Sequence, residues 1–107
     1  MKTYDFTKWL LEHTIAFPKS QRFVMAKRIE DAALNFYDCL LLAVKSRDTK
    51  GALGSADYEL ERLKHYLRLC LDLNLFSINQ YEHSSKEIVE IGRLLGGWIK
   101  KAAKGAG

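Results

Sequence analysis

The chain has 107 residues, one proline, 48% hydrophobic residues and a formal charge of +4, which suits one domain with a modest core and excludes a disordered segment. No run approaches the ~20 apolar residues of a membrane span, and Lys2, Asp5 and Lys8 interrupt the N-terminus, so neither a membrane anchor nor a signal peptide is expected and the chain is expected to be cytoplasmic. Cys39 and Cys70 fall in helical patterns without a CxxC or a histidine at ligand spacing; they read as small buried hydrophobes of a reducing compartment, not as a disulfide or a metal site.

Phe6, Leu10 and Phe17 predict a first helix from about Tyr4 to Ala16, with Thr3 as its cap. Pro18 stops it, because a residue before proline is pushed out of the helical region. A second helix starts near Ser20 and runs to Lys45 or Lys50. Ala26, Ile29, Ala33, Phe36, Leu40 and Ala43 form its apolar seam, and Phe23, Leu34, Tyr37 and Leu41 form a second ridge. In "RDTKGALGSAD", Gly51 and Gly54 read as helix breakers and Ser55 as the next cap. The third helix then runs to about Asn74, with a seam of Ala56, Leu60, Leu63, Leu67 and Cys70 and a second ridge of Tyr66, Leu69 and Leu73. Ser77 and Gln80 have the spacing of a capping box. The fourth helix spans Ile78 to about Ala102, with Tyr81, Ile88, Ile91, Leu95 and Trp98 inward, followed by a basic flexible tail at about 102–107.

Short connections favour antiparallel neighbours, so the expected fold is all-α: an antiparallel up-down four-helix bundle in a single domain, 1–107. A helix in a monomeric bundle needs one apolar stripe. The second ridges therefore point to homo-oligomerisation, or to a first helix that covers one of them.

Lys64 and Arg68 lie four apart, a spacing at which like charges repel unless a phosphate bridges them; Glu61, Asp57 and Asp72 on the same face offer a solvated ladder instead. Lys19, Arg22, Lys27 and Arg28 cluster in sequence without sharing a face. Arg22 falls at the end of the apolar seam, where it leaves the core at the rim or forms a buried pair. Lys100, Lys101 and Lys104 complement the negative end of a helix dipole or contact phosphates. His13, His65 and His83 are scattered and read as surface or capping residues. Trp9, Trp98, Tyr37, Tyr66 and Tyr81 read as core aromatics before base-stacking platforms. No P-loop, nucleophile elbow, zinc signature or paired-carboxylate motif is present, so no enzyme, cofactor or small-molecule substrate is expected.

Three glycines interrupt the fourth helix. Gly92 and Gly96, four apart at the edge of the inward stripe, are expected to admit a neighbouring helix, within the bundle or across subunits. Gly97 falls on the polar side near Arg93 and Lys101, where a subunit or partner contact is the expectation.

"EIGRLLGGWIKK", "FPKSQRFVMAKRIEDAAL" and "LKHYLRLCLDLNLFS" together resemble the accessory variability determinant (Avd) proteins of diversity-generating retroelements, over roughly residues 15–101. The GRxLGxW signature from Gly92 to Trp98 is the most specific part. The resemblance implies a homopentameric barrel with a basic surface. It further implies a non-catalytic accessory protein that binds the retroelement's reverse transcriptase and RNA or DNA to support mutagenic copying. It assigns Lys64 and Arg68 to nucleic-acid or partner contact, with Arg22 and Arg93 at matching positions. Lys64 stands where an arginine is common, which keeps the charge but loses the bidentate fork. A more distant relation, to bundle proteins encoded in intervening sequences of ribosomal RNA genes, implies a structural oligomer without a retroelement role.

Overall fold

The structure, a computed structural model, describes residues 2–105. Helix α1 is Lys2–Thr14. Helix α2 covers 19–45 and is built of a first turn Lys19–Gln21, a π-helical segment Arg22–Ala26 and a regular α-helix Lys27–Lys45. Helix α3 is Thr49–Asp72 and α4 is Ile78–Gly105. No strand occurs among the described residues.

Consecutive helices are antiparallel neighbours, and α1 closes the ring against α4. Tyr4 meets Tyr37 while Thr14 meets Glu30, and the Gly92 backbone faces Leu60. The expected seams form the core. On α2, Ala26, Ile29, Ala33, Phe36 and Ala43 are buried, with Leu40 packed against them. All five seam residues of α3 are buried, as are Ile88, Ile91 and Leu95 of α4. Burying a side chain such as Leu10, Ile29 or Leu53 contributes about 1.5–3 kcal/mol before the entropy of ordering it is subtracted.

Two helix ends follow local chemistry closely. Asn74 has φ 60°, the left-handed conformation. The Leu75 amide donates to the Cys70 carbonyl at 2.8 Å and the Asn74 amide to that of Leu71 at 3.1 Å. This is the Schellman arrangement, with asparagine in the place glycine usually takes. After it, Ser77 and Gln80 exchange side-chain bonds, Gln80 amide to Ser77 Oγ at 3.1 Å and Ser77 amide to Gln80 Oε1 at 2.9 Å. The capping box forms as its spacing predicts.

Other boundaries differ from expectation. Helix α1 already includes Thr3, whose carbonyl accepts the Thr7 hydroxyl at 2.8 Å, so Thr3 is no cap. Helix α3 begins at Thr49, with Gly51 and Gly54 inside it and Ser55 exposed on its surface. The cap is Asp48, whose carboxylate accepts from the Gly51 amide at 3.1 Å. Burial of Ala52, Leu53 and Ala56 outweighs two glycines that each disfavour a helix by about 1 kcal/mol. At the other terminus, Ala102, Ala103 and Lys104 favour helix, and α4 continues to Gly105. The part of the expected flexible tail at 102–105 is thus helical, while 106 and 107 lie outside the described residues.

The helices are unequal in length. At 1.5 Å per residue α1 is about 20 Å long and α4 about 42 Å. The N-terminal end of α1 lies level with Tyr37 and Glu87, where Lys2 pairs with Glu87 at 3.4 Å. From there to the α2–α3 turn at 46–48, only α2, α3 and α4 continue.

Candidate nucleic-acid and partner interface

Much of the second ridges stays in solvent. Phe23 is 83% exposed, Leu41 52%, Leu69 45% and Leu73 51%. Helix α1 covers part of the α2 ridge: Tyr4 stacks obliquely on Tyr37 at 6.3 Å, and an apolar groove between the helices is lined by Leu11, Ile15, Leu34 and Tyr37. Phe23 and Leu41 lie beyond its reach. The expectation that α1 covers one ridge holds in part, with α1 partnering the middle of the α2 ridge and the remainder open.

Arg22 opens the π segment and is exposed, its Nε donating to the Phe17 carbonyl at 3.4 Å. Of the two fates expected for it, leaving the core at the rim is the one observed. A π turn carries one more residue than an α turn, so it offsets everything before it around the helix. Phe23 and Val24 face solvent while Met25 and Ala26 turn inward.

Lys64 and Arg68 share the α3–α4 side. Lys64 lines a small groove with Tyr81, Ser84 and Ser85 and has no ion-pair partner among the described residues. Arg68 is engaged: its Nε donates to Asp72 at 3.3 Å. The Asp72 carboxylate first, and the Tyr81 hydroxyl second, hold its guanidinium above the ordinary arginine range. Half of the predicted pair is thus neutralised within its own helix. Arg93 is likewise paired with Glu90, by two bonds of 2.5 and 3.2 Å, and the guanidinium holds the Glu90 carboxyl below the usual range.

The C-terminal cations behave differently. Lys100, Lys101 and Lys104 lie on the last turns of α4, and none has an acidic partner among the described residues. The same is true of Lys45, Arg47 and Lys50, around the α2–α3 turn. Lys19, Lys64 and Lys86 are the other lysines without one, whereas Lys2, Lys8 and Lys27 are paired. Arg47, Lys50 and Lys101 line one open groove together with Asp48, Gly97 and Trp98. Sequence reading missed Arg47 and Lys50. Their only signal was the pair of cations flanking the Asp48 cap in "RDTK", and their partners on α4 lie some fifty residues further along.

The α4 glycines separate. A Cβ at Gly92 would lie 3.7 Å from Leu60 Cδ2, an ordinary contact, and one at Gly96 would meet nothing within 4 Å. Neither is held to a close helix approach inside the protomer, which leaves a subunit contact as the place for that expectation. Gly97 is exposed and also faces open space.

Trp9, Trp98, Tyr66 and Tyr81 pack against the core, as expected. The histidines are less scattered than their sequence positions imply. His13 stacks on Trp9 at 3.9 Å and bonds its carbonyl through Nδ1 at 2.7 Å, and His83 lies 4.8 Å from the same indole. They complete an aromatic cluster with Phe17 and Phe76. Burial pushes the Cys70 thiol up to about 12, and Cys39 is also raised, mainly by burial. Both cysteines are free thiols, and neither has the lowered pKa of a reactive nucleophile. Among the described residues no group of three metal-ligating side chains converges, and no helix is long and apolar enough to cross a membrane.

A family model described as bAvd-like matches residues 1–102. No curated protein matches the chain.

Proposed function

The chain belongs to the bAvd-like family, and on that premise we propose that it is the non-catalytic accessory protein of a diversity-generating retroelement. In this reading it assembles as a homopentamer and holds the element's reverse transcriptase and template RNA on a basic surface, supporting mutagenic reverse transcription in the cytoplasm. The observation that carries the reading, beside the family, is the concentration of cations without acidic partners at the three-helix end: Lys45, Arg47, Lys50, Lys100, Lys101 and Lys104. Unpaired cations retain their full charge for phosphates, and displacing counterions from a nucleic-acid backbone makes such binding steeply salt-dependent. Five copies would raise a formal +4 to +20 (5 × 4) and repeat each weak contact around a ring. The exposed ridges of α2 and α3 supply apolar surface for the assembly.

A structural bundle oligomer of the ribosomal-RNA intervening-sequence type, without a retroelement role, is the second reading. It is favoured by the internal pairing of Arg68 with Asp72 and Arg93 with Glu90.

Co-purification with the reverse transcriptase encoded beside the gene, with and without RNA, separates the two. The accessory reading expects a complex that weakens as salt rises; its absence in both arms leaves the structural bundle. Light scattering coupled to size exclusion is expected to give about five times the 12.3 kDa protomer, and a monomer at micromolar concentration would refute the assembly.

A further inference from the structure

Three of the unpaired cations converge on one concavity. Arg47 on the α2–α3 turn, Lys50 in the first turn of α3 and Lys101 on α4 line an open groove of about 880 Å³, with Gly97 and the half-buried Trp98 on its α4 wall. None of the three cations has a hydrogen bond or ion pair to a described residue. The carboxylate on the rim, Asp48, is committed to the Gly51 amide as the cap of α3.

Gly97 is the telling residue. Glycine weakens a helix interior relative to alanine, yet nothing in the protomer requires it here, since an added Cβ meets no atom within 4 Å. What that Cβ would enter is the space of the groove. The glycine keeps a cationic trough open beside an indole.

We propose that this groove is a subsite for single-stranded nucleic acid, with a backbone phosphate held among Arg47, Lys50 and Lys101 and the strand running past Trp98 over Gly97. The inference rests on the nucleic-acid binding proposed above and gives it a location. A single strand fits better than a duplex. Cations set beside an aromatic wall match a backbone with unstacked bases, whereas the bases of a duplex are stacked on one another.

The test is fluorescence anisotropy of the full chain with a short fluorescein-labelled oligouridylate, across a salt series. The wild type is compared with Gly97→Leu, Lys101→Glu and Arg47→Ala, with circular dichroism and size exclusion on each variant. Gly97→Leu is expected to keep or raise the melting temperature while weakening binding about tenfold or more, and Lys101→Glu to do at least as much. Arg47→Ala is expected to lower the slope of log K against log salt by about 0.7, the loss of one phosphate contact on a single strand. In a Trp9→Phe background the remaining tryptophan, Trp98, is expected to be quenched as the oligouridylate binds.

If the wild type binds and all three variants bind equally well, the groove is overturned while nucleic-acid binding stands. If the wild type binds no oligouridylate, both fall. Should Gly97→Leu lower the melting temperature, Lys101→Glu, at an exposed and unpaired position, decides the matter alone. A duplex competitor that displaces the oligouridylate at equal concentration refutes the preference for a single strand.

Discussion

The two ends of the bundle are built to different rules. Where α1 is present, the core carries Phe6, Leu10, Phe17 and Phe76, and Trp9 is stacked with His13 and flanked by a tilted His83. Beyond the reach of α1 the bundle has three helices, tolerates Gly51, Gly54, Gly96 and Gly97, and gathers six cations without acidic partners. The first end resembles a sequence chosen for packing. The second keeps residues that a packing criterion alone would replace.

Substitutions at the α1 end should therefore cost more. Phe76 is buried edge-on against Phe17 at 5.6 Å and Trp9 at 5.8 Å, so Phe76→Ala is expected to lose about 3–5 kcal/mol, read as a lower urea midpoint. A smaller loss would mean that the aromatic cluster can collapse around the cavity and is less rigid than its geometry implies. Thr14 is fully buried and donates to Glu30 Oε2 at 2.8 Å. Thr14→Val removes a bond to a charged group, with an expected cost of about 1.5–3 kcal/mol by the same measurement.

At the three-helix end the effects shrink and then change sign. Asp48→Ala removes the α3 cap and is expected to cost about 1 kcal/mol. Gly54→Ala places a methyl where nothing lies within 4 Å and is expected to stabilise by up to about 1 kcal/mol, seen as a higher melting temperature. Gly96→Ala should gain as much in an isolated protomer. Loss of the oligomer by light scattering would instead show that a neighbouring subunit approaches that glycine closely.

The seams and the Ser77–Gln80 capping box were legible in the sequence because they depend on local spacing, whereas Thr3 and Ser55, read as caps, lie inside α1 and α3. Ala26 to Ala43 on α2, Ala56 to Cys70 on α3, and the Ser77–Gln80 box follow from periodicity and short-range hydrogen bonding. The start of α3 was not legible. Two glycines within four residues read as a break, and only the burial of Ala52 and Leu53 against neighbouring helices overrides them. The π segment left no compositional mark. Of the site, the C-terminal lysines were visible, but the groove joins residues 47–50 to 97–101 and exists only once α3 and α4 lie antiparallel. Lys64 and Arg68 were visible as a pair, and the Asp72 contact that occupies Arg68 was legible too, as the ladder that its i,i+4 spacing offered.

The π turn at Arg22–Ala26 also bears on how this chain tolerates change in length. A π turn is in effect a one-residue insertion that a helix has absorbed, so deleting a single residue there, such as the exposed Val24, would return α2 to a uniform helix. The deletion would leave Pro18 and α1 close to their present place about the α2 axis, with Thr14 still facing Glu30, whereas deleting a residue from the regular part of the helix would turn everything before it by about 100°. The π segment is therefore the place where α2 can lose a residue while α1 keeps its docking, and with it the closed and open sides of the bundle.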